Sequence, residues 1–332
     1  SEMILGIPND VFLNSWLSIS LVVSFLNIFV IRSNKLNGYA LLILFVCVAL
    51  TSTSYNPDIE NYYMVYKGMT VYNPIAWNYE PGFNFILYAT NKISNGSDFG
   101  FFLVRFFPGV LLYFAIRRNK YHSSFVPFYL CCLGLVLSST TLRASYAFSF
   151  LTLLITFDSV RFTIVKILSL TLPVFSHFSS FPIALMHFFR KSSRSRRIVI
   201  LFLMLLLLSV VYPILSAMTE SIFTKVVDRG ATWRVGIPIR AIQFVLISFI
   251  LVILFKKNGI FLINYFGKPM FVIIFVILIM SSVNYGLSRL LLYCYPILFV
   301  KNNKFSESRS LNQIICLISL PSAVYFYIEF DR

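Results

Sequence analysis

Six arginines in this sequence could bind an anion, because each lies in an apolar run or in a short connection between two runs. A charge within a long apolar segment is costly and normally faces an interior cavity, and four arginines are placed in this way: Arg105, Arg143, Arg240 and Arg289. Arg229 and Arg234 lie in the connection 219–236. Guanidinium groups bind phosphate through paired hydrogen bonds, so this set predicts a phosphate or pyrophosphate site. The alternative is that these side chains only extend along apolar surface into water, as arginines near helix ends do.

Carboxylates and aromatic rings are concentrated in the segment 55–98. Asp58, Tyr62 and Tyr63 lie in its first half, and Glu80 precedes a short aromatic-rich run in its second half. Sugars present apolar faces that stack on rings and hydroxyls that donate hydrogen bonds to carboxylates. The segment therefore indicates carbohydrate binding, although an interfacial belt of aromatic residues would explain some of the rings.

His177 is the histidine with a candidate chemical role. It lies in the sequence SHFSSFP, between two short apolar runs, whereas we expect His122 and His187 to be structural. A neutral imidazole can accept a proton near physiological pH with little tuning. We therefore predict that His177 or Glu80 orients or deprotonates a hydroxyl group. The alternative is a histidine whose polar atoms are simply satisfied by their neighbours.

Several chemistries have no motif in this sequence. There is no P-loop, no GxGxxG fingerprint, and no His, Cys or carboxylate spacing suited to zinc. All five cysteines lie in apolar stretches, where we interpret them as small buried side chains and not as disulfides or metal ligands: Cys47, Cys131, Cys132, Cys294 and Cys316. We therefore expect no metal ion and no other cofactor.

The elements that must position these residues are membrane-spanning helices. Of the 332 residues, 58% are hydrophobic and only 12% are charged, whereas soluble domains carry about 25% charged residues. The runs 198–217 and 270–287 contain no charge, and a helical span needs about 20 such residues. These runs are too long and too continuously apolar for the strands of a barrel. The sequence thus predicts an all-α, polytopic integral membrane protein.

We expect about 12 transmembrane helices in a single transmembrane domain over residues 1–332. They lie near 11–31, 38–54, 99–116, 123–140, 144–157, 162–176, 178–189, 198–218, 237–255, 270–287, 289–300 and 311–328. The segment 162–189 forms either one long kinked helix or two short ones, and Pro173 and Pro182 favour two. A short re-entrant or interfacial helix is predicted over 83–91, within the outer segment 55–98, and 219–236 forms an outer loop.

The orientation of the chain follows from its basic clusters, which alternate with apolar runs as cytoplasmic loops do. These clusters are Arg32 with Lys35, Arg117 to Lys120, Arg190 to Arg197, Lys256 with Lys257, and Lys301 to Arg309. Placing them inside puts the whole net charge of +16 on the cytoplasmic side and both termini outside. The basic excess therefore requires no nucleic acid partner, and the candidate arginines share the outer side with the segment 55–98.

Four stretches resemble, in order, the EpsG-like group of Wzy-type polysaccharide polymerases: PDIENYYMVY, YEPGFNFIL, LRASYAFSFLTLL and LSLTLPVFSHFSSFPIAL. The group's pattern is an Asp with nearby Tyr, a Glu before a short aromatic helix, an Arg opening a span, and His-x-Ser near an outer turn. The matching positions are Asp58 with Tyr62 and Tyr63, then Glu80, Arg143, and His177 with Ser179, and a late Arg is matched by Arg289. The resemblance covers 55–190 by motif and the rest by topology. The chain is short for the group and has little room for a large late periplasmic loop.

The resemblance implies a GT-C-like glycosyltransferase architecture in the bacterial inner membrane, with an active site that faces the periplasm. The implied reaction joins undecaprenyl-pyrophosphate-linked oligosaccharide repeat units into O-antigen or capsular polysaccharide, as in lipopolysaccharide biosynthesis. Membrane lipids and a chain-length regulator protein are further expected partners. The catalytic residues are then His177, Glu80, Arg143 and Arg289. The expected substrate-binding residues are Asp58, Tyr62, Tyr63, Arg105, Arg229, Arg234 and Arg240.

Other functions fit part of the same pattern. An O-antigen ligase uses the same donor with a lipid A-core acceptor. A flippase or transporter of lipid-linked oligosaccharides would show inverted repeats and charged residues through the depth of the bundle, and we find no repeat in the sequence. A polysaccharide O-acyltransferase is disfavoured, because the early His and Arg motifs of such enzymes are missing from the first spans.

Overall fold

The computed structural model describes residues 7–30, 33–53, 57–69, 71, 79–135, 137, 141–157, 163–181, 183–184, 187, 292–293, 295–300 and 309–331. These residues form helices, and the only β-type pairings among them are the isolated bridges Ile7–Thr51 and Tyr121–Val300. The all-α prediction is therefore confirmed for this part of the chain. The predicted spans 198–218, 237–255 and 270–287 lie outside the described residues.

In chain order, the helices of the described part are α1 (Asn9–Phe25), α2 (Asn34–Leu50), α3 (Pro57–Gly68), α4 (Pro81–Ile93), α5 (Asp98–Arg117), α6 (Phe125–Phe128), α7 (Leu142–Ile155), α8 (Thr163–Ser176), α9 (Tyr295–Leu298) and α10 (Arg309–Asp331). Short π-helical turns continue α1 over Leu26–Val30 and α6 over Tyr129–Gly134. A 3₁₀ turn over Phe178–Ser180 follows α8.

Two of the described helices are long and apolar enough to cross a bilayer, as judged by length and composition alone: Asp10–Phe29 and Asp98–Arg117, with 20 residues each. A helix of this length measures about 30 Å, the thickness of the hydrocarbon core. Shorter apolar helices coincide with four more of the predicted spans: Asn34–Leu50, Phe125–Gly134, Leu142–Ile155 and Asn312–Val324. The total of about 12 spans stays a prediction.

The main apolar core joins α1, α2, α5, α6, α7 and α10. Trp16 on α1 is fully buried and donates its indole N–H to the carbonyl of Leu130 at 3.1 Å. Helices α2 and α5 pack closely because Gly109 lies against the ring of Phe45, and a Cβ on this glycine would come within 2.5 Å of that side chain. The core therefore holds the long helices side by side, leaving their ends to carry functional groups.

The segment 162–189 is interrupted at His177, as the two-helix alternative predicts. Helix α8 ends at Ser176, and His177 is extended, with φ −159° and ψ 114°. The amide of His177 still donates to the carbonyl of Pro173 at 2.9 Å. His177 is therefore held at the end of a helix, where its side chain can reach other elements.

The segment 55–98 contains two helices. Helix α4 confirms the short helix predicted over 83–91 and extends it to 81–93. Helix α3 was not predicted, since its sequence PDIENYYMVYKG is too polar to be recognised as a span.

A second apolar cluster joins α3 and α4 to α5 and α7: Ile59, Tyr62, Tyr66, Phe83, Leu87, Phe101, Val104, Leu142 and Tyr146. This cluster fixes the start of α4 beside the start of α7.

Candidate functional site

Glu80, Arg143 and His177 meet where the start of α4 faces the start of α7 and the end of α8. One carboxylate oxygen of Glu80, Oε1, lies 2.7 Å from Nδ1 of His177. The other oxygen, Oε2, accepts a hydrogen bond from Nη1 of Arg143 at 2.6 Å. His177 lies 97 residues from Glu80 in the chain and Arg143 lies 63 residues from it, and one carboxylate contacts both. We call these three residues the Glu80 cluster.

The start of α4 directs Glu80 across to the other two residues. Glu80 occupies the N-cap position, yet its side chain makes no capping hydrogen bond and is available for contacts outside the helix. Pro81 follows at the first helical position, where its fixed φ favours the helix and its missing N–H is not needed. The side-chain amide of Asn84 donates to the carbonyl of Tyr79 at 2.8 Å and holds the preceding chain in place.

The Glu80 cluster is largely withdrawn from solvent, and its members are exposed to different degrees. The side chain of Glu80 is 7% exposed, that of His177 16% and that of Arg143 30%. Burial by itself raises the pKa of Glu80, but the hydrogen bond and electrostatic attraction of His177, together with the charge of Arg143, lower that pKa to about 2. Glu80 is therefore an ionised carboxylate at neutral pH and a very weak base.

Arg143 is held by aromatic residues as well as by Glu80. Its Nε donates to the hydroxyl of Tyr62 at 3.2 Å. Its Cζ lies 5.0 Å from the ring centroid of Tyr79 and 5.9 Å from that of Tyr62, within range of cation–π attraction. Within the described part of the chain, Nη2 of Arg143 makes no hydrogen bond. The guanidinium is thus fixed in orientation while one of its donor groups is available to a ligand.

Tyr62, Tyr79 and Phe83 form the aromatic side of the site. Their rings meet edge to face at centroid distances of 5.0 to 6.0 Å. Tyr62 is buried, whereas Tyr79 is partly exposed. Burial, with a smaller contribution from Tyr62, raises the pKa of Tyr79 to about 12. The Tyr79 hydroxyl therefore stays protonated and can both donate and accept hydrogen bonds beside the arginine.

Tyr63, predicted with Tyr62, lies in a different environment. Its hydroxyl donates to Asp98 at 2.7 Å, and Nζ of Lys67 lies 2.6 Å from the same carboxylate oxygen. Successive side chains of a helix point about 100° apart, so Tyr63 faces α5 while Tyr62 faces the Glu80 cluster. Asp58 is exposed on the first turn of α3 and lies close enough for its charge to act on Tyr62.

Arg105 is also separate from the Glu80 cluster. It is 1% exposed, and Nη1 donates to the carbonyl of Thr51 at 2.6 Å, while Nη2 donates to the Thr51 hydroxyl. Thr51 follows the last residue of α2, so the guanidinium lies at the negative end of that helix. The structure places Arg105 where it stabilises the end of α2, and its predicted role in substrate binding stays a prediction.

The remaining predicted site residues lie outside the described residues: Arg229, Arg234, Arg240 and Arg289. Sequence reasoning did not include two other members of the site, Tyr79 and Gly82. Tyr79 could have been found, because it directly precedes Glu80 in an aromatic stretch. Nothing in the local sequence marks Gly82, because its role comes from the close approach of its backbone to Phe175 on α8. Ser179 of the His-x-Ser pattern donates to the hydroxyl of Tyr293 at 3.4 Å.

The arrangement combines a fixed cation, an imidazole and a partly exposed aromatic ring around one buried carboxylate. It can bind an anionic group at Arg143 and accept a proton at His177 within one small region. Among the residues that the structure describes, no group of three His, Cys, Asp or Glu side chains could hold a metal ion.

In a comparison with known protein families, the model of the EpsG family matches residues 36–331. Comparisons with curated proteins and with solved structures find no match. The matched range contains α4, α7 and α8, and therefore every residue of the Glu80 cluster.

Proposed function

Because the chain belongs to the EpsG family, and is therefore a polymerase-like membrane protein of polysaccharide biosynthesis, we propose that it joins lipid-pyrophosphate-linked oligosaccharide repeat units. The product is an O-antigen or capsular polysaccharide, and the lipid carrier is undecaprenyl pyrophosphate. The observation that carries this proposal is the contact of Glu80 with both Arg143 and His177, which brings a cation and a proton acceptor together.

The reaction is the transfer of a glycan from one carrier lipid to another. The donor is the growing glycan, activated at its anomeric carbon by the lipid pyrophosphate. A hydroxyl of the terminal sugar on a second lipid-linked repeat unit attacks that carbon and forms the new glycosidic bond. The bond from the anomeric carbon to the pyrophosphate oxygen breaks, and the lipid pyrophosphate leaves with the electron pair. The hydroxyl proton goes to Nε2 of His177.

Arg143 stabilises the departing pyrophosphate. Negative charge grows on its bridging oxygen as the bond to the sugar breaks, and Nη2 is the guanidinium group available to meet it. The other contacts of Arg143, to Glu80 and Tyr62, hold the guanidinium in place before the reaction. Removal of one preorganised donor of this kind costs about 10²- to 10³-fold in rate. Arg289, which the family pattern also contains, is proposed as a second cation for the same group.

His177 accepts the proton of the attacking hydroxyl. Its Nδ1 is occupied by Glu80, while its side chain is 16% exposed. Within the described residues Nε2 makes no hydrogen bond, so this nitrogen is the one available to a substrate. General base catalysis contributes about 10²- to 10⁴-fold. Tyr79, partly exposed beside Arg143, offers a ring and a hydroxyl to the sugar. Asp58, exposed on the first turn of α3, is proposed as a further contact of the sugar.

The predicted topology supports a site that faces the periplasm. Arg143 begins α7, His177 follows α8, and Glu80 precedes α4 in the segment 55–98. The contact among them means that these three helix ends lie on one side of the protein. The positive-inside rule assigns that side to the exterior of the cytoplasmic membrane. Lipid-linked repeat units would enter the site there from the outer leaflet.

The direct test is incubation of the purified protein with an undecaprenyl-pyrophosphate-linked repeat unit, followed by separation of the glycans by size. We expect a ladder of products that differ by one repeat unit, and a ladder that forms at least about 10²-fold more slowly with the His177→Ala variant. Transfer to a lipid A-core acceptor without any ladder would identify a ligase instead. Movement of the unchanged lipid across a vesicle membrane, with no new bond, would identify a flippase.

A further inference from the structure

Both oxygens of the Glu80 carboxylate are engaged by neighbouring side chains. Oε1 contacts Nδ1 of His177 and Oε2 contacts Nη1 of Arg143, and the side chain is only 7% exposed. Each oxygen could accept one more hydrogen bond, but a side chain so deeply buried leaves a sugar hydroxyl little room to reach it. The geometry therefore argues against Glu80 as a direct ligand of the acceptor sugar. Its effect on the reaction would instead pass through its contact with His177.

The charge state of Glu80 determines which nitrogen of His177 carries the proton. An ionised carboxylate can only accept hydrogen bonds, and the guanidinium of Arg143, 2.6 Å from Oε2, favours the ionised form of Glu80. Nδ1 must therefore be the donor in the 2.7 Å contact. In a neutral imidazole, one nitrogen donates and the other accepts, so Nε2 holds the lone pair.

We propose that Glu80 is a positioning residue, which keeps the proton of neutral His177 on Nδ1 so that Nε2 can act as the base, and which fixes the guanidinium of Arg143 through its second oxygen. The catalytic consequence rests on the proposed polymerase function. The tautomer itself does not, because it follows from the hydrogen bonds of the substrate-free protein. Glu80 thus acts through two other residues without touching either sugar.

The substitution Glu80→Gln distinguishes a positioning role from sugar binding, because it reverses the tautomer of His177 while the side chain keeps almost the same shape. Arg143 has only donors to offer, so the glutamine must turn its carbonyl oxygen toward Nη1. Its amide NH₂ then faces Nδ1 of His177, which can meet it only as an acceptor. The proton therefore moves to Nε2, and the base is lost. The same exchange of carboxylate for amide in the serine protease triad lowers kcat by about 10⁴ through the wrong tautomer.

The experiment is nitrogen NMR of the full chain in lipid nanodiscs with ¹⁵N-labelled histidine, at a pH at which the imidazoles are neutral. The chain has 3 histidines, and the spectrum of His177→Gln assigns the signals of His177. We expect a protonated Nδ1 in the wild type and a protonated Nε2 in Glu80→Gln. The control is Glu60→Gln, the same change at an exposed position of α3, and its histidine spectrum should match that of the wild type. A wild-type His177 protonated on Nε2 would overturn the proposal, even if Glu80→Gln does not fold.

Kinetics separate positioning from sugar binding. A positioning residue loses no contact with the acceptor, so Glu80→Gln lowers kcat by at least about 10²-fold with little change in the KM of the acceptor. Glu80→Asp retains a carboxylate that can only accept, so it keeps the proton on Nδ1 and recovers part of the rate. An acceptor KM that rises while kcat at saturation stays normal would show that Glu80 binds the sugar, contrary to the proposal.

The two measurements also separate this inference from the proposed function. If neither the wild type nor any variant elongates a glycan, the polymerase function fails, and the tautomer of His177 still decides whether Glu80 positions it. If glycans lengthen normally in Glu80→Gln while the proton moves to Nε2, polymerisation stands and the positioning role for catalysis is wrong.

Discussion

Gly82 lies directly against the main chain of Phe175. A Cβ built on Gly82 would come within 2.9 Å of the carbonyl carbon, the carbonyl oxygen and the Cβ of Phe175. Gly82 follows Glu80 by two residues, and Phe175 precedes His177 by two. The missing side chain therefore lets the start of α4 approach the end of α8 closely enough for the 2.7 Å contact between Glu80 and His177.

Gly82→Ala is expected to separate Glu80 from His177, because the backbone of Phe175 cannot move aside as a flexible side chain could. A displacement near 1 Å can cost about 10²-fold in rate, and overpacking of this kind destabilises a fold by about 1–3 kcal/mol. The measurements are the rate of glycan elongation and the thermal unfolding temperature. Gly68→Ala is the control, since a Cβ at that position meets no atom of the other described residues within 4 Å, apart from its chain neighbours and the backbone of its own helix. A wild-type rate in Gly82→Ala would show that the close approach is not needed.

Arg143→Lys is expected to lose at least about 10²-fold in elongation rate while the protein still folds. Lysine keeps a positive charge beside Glu80, but its ammonium lacks the planar fork that binds Glu80, Tyr62 and a phosphate at the same time. The control is Arg117→Lys at an exposed arginine that also contacts a tyrosine, Tyr113, at 3.0 Å. Elongation by Arg143→Lys at the rate of the control would remove the guanidinium from the proposed mechanism.

The pKa of Glu80 predicts how the stability of the protein depends on acid. Its pKa is about 2 in the folded protein, against an ordinary value of 4.5, so between these values the unfolded chain binds more protons. The stabilisation from Glu80 is therefore complete above pH 4.5 and is lost as pH falls through about 2, with a total of about 3 kcal/mol. We expect Glu80→Gln to be less stable than the wild type at neutral pH, by a difference that shrinks below pH 4.5. A difference that stays constant down to about pH 2.5 in detergent unfolding curves would contradict this.

Helix α5 provides a test of orientation, because its two ends lie about 30 Å apart. Single cysteines at Ser97 and Lys120, which flank the helix and are exposed, should differ in their reaction with a membrane-impermeant thiol reagent. In intact cells of a cysteine-free variant, we expect labelling at position 97 and none at position 120. The reverse pattern would place the Glu80 cluster on the cytoplasmic side and exclude a periplasmic polymerase.

Elongation is expected to need no divalent metal ion. Arg143 can supply the positive charge that the leaving pyrophosphate requires, and the sequence contains no metal-binding motif. The purified protein should therefore keep its rate in EDTA, once metal is also removed from the lipid substrate. Activity that stops in EDTA and returns with magnesium or manganese would show that a cation takes part.

The sequence by itself determined the type of element and the candidate residues. Long apolar runs in a bilayer must satisfy their own backbone hydrogen bonds, so they are helical, and this holds throughout the described residues. Ionisable side chains within or beside such runs are costly and therefore conspicuous, which is why Arg143 and His177 could be proposed before any contact was known. Glu80 was recognisable from its place before the short aromatic helix α4.

Only the tertiary structure decided the partners of these residues. Arg105 and Arg143 look alike in the sequence, yet one binds Thr51 at the end of α2 and the other binds Glu80. A buried guanidinium can be satisfied by any acceptor, whether a backbone carbonyl or a carboxylate. Which acceptor lies near depends on helix packing between positions 54 and 63 residues apart, and the local sequence does not contain that information.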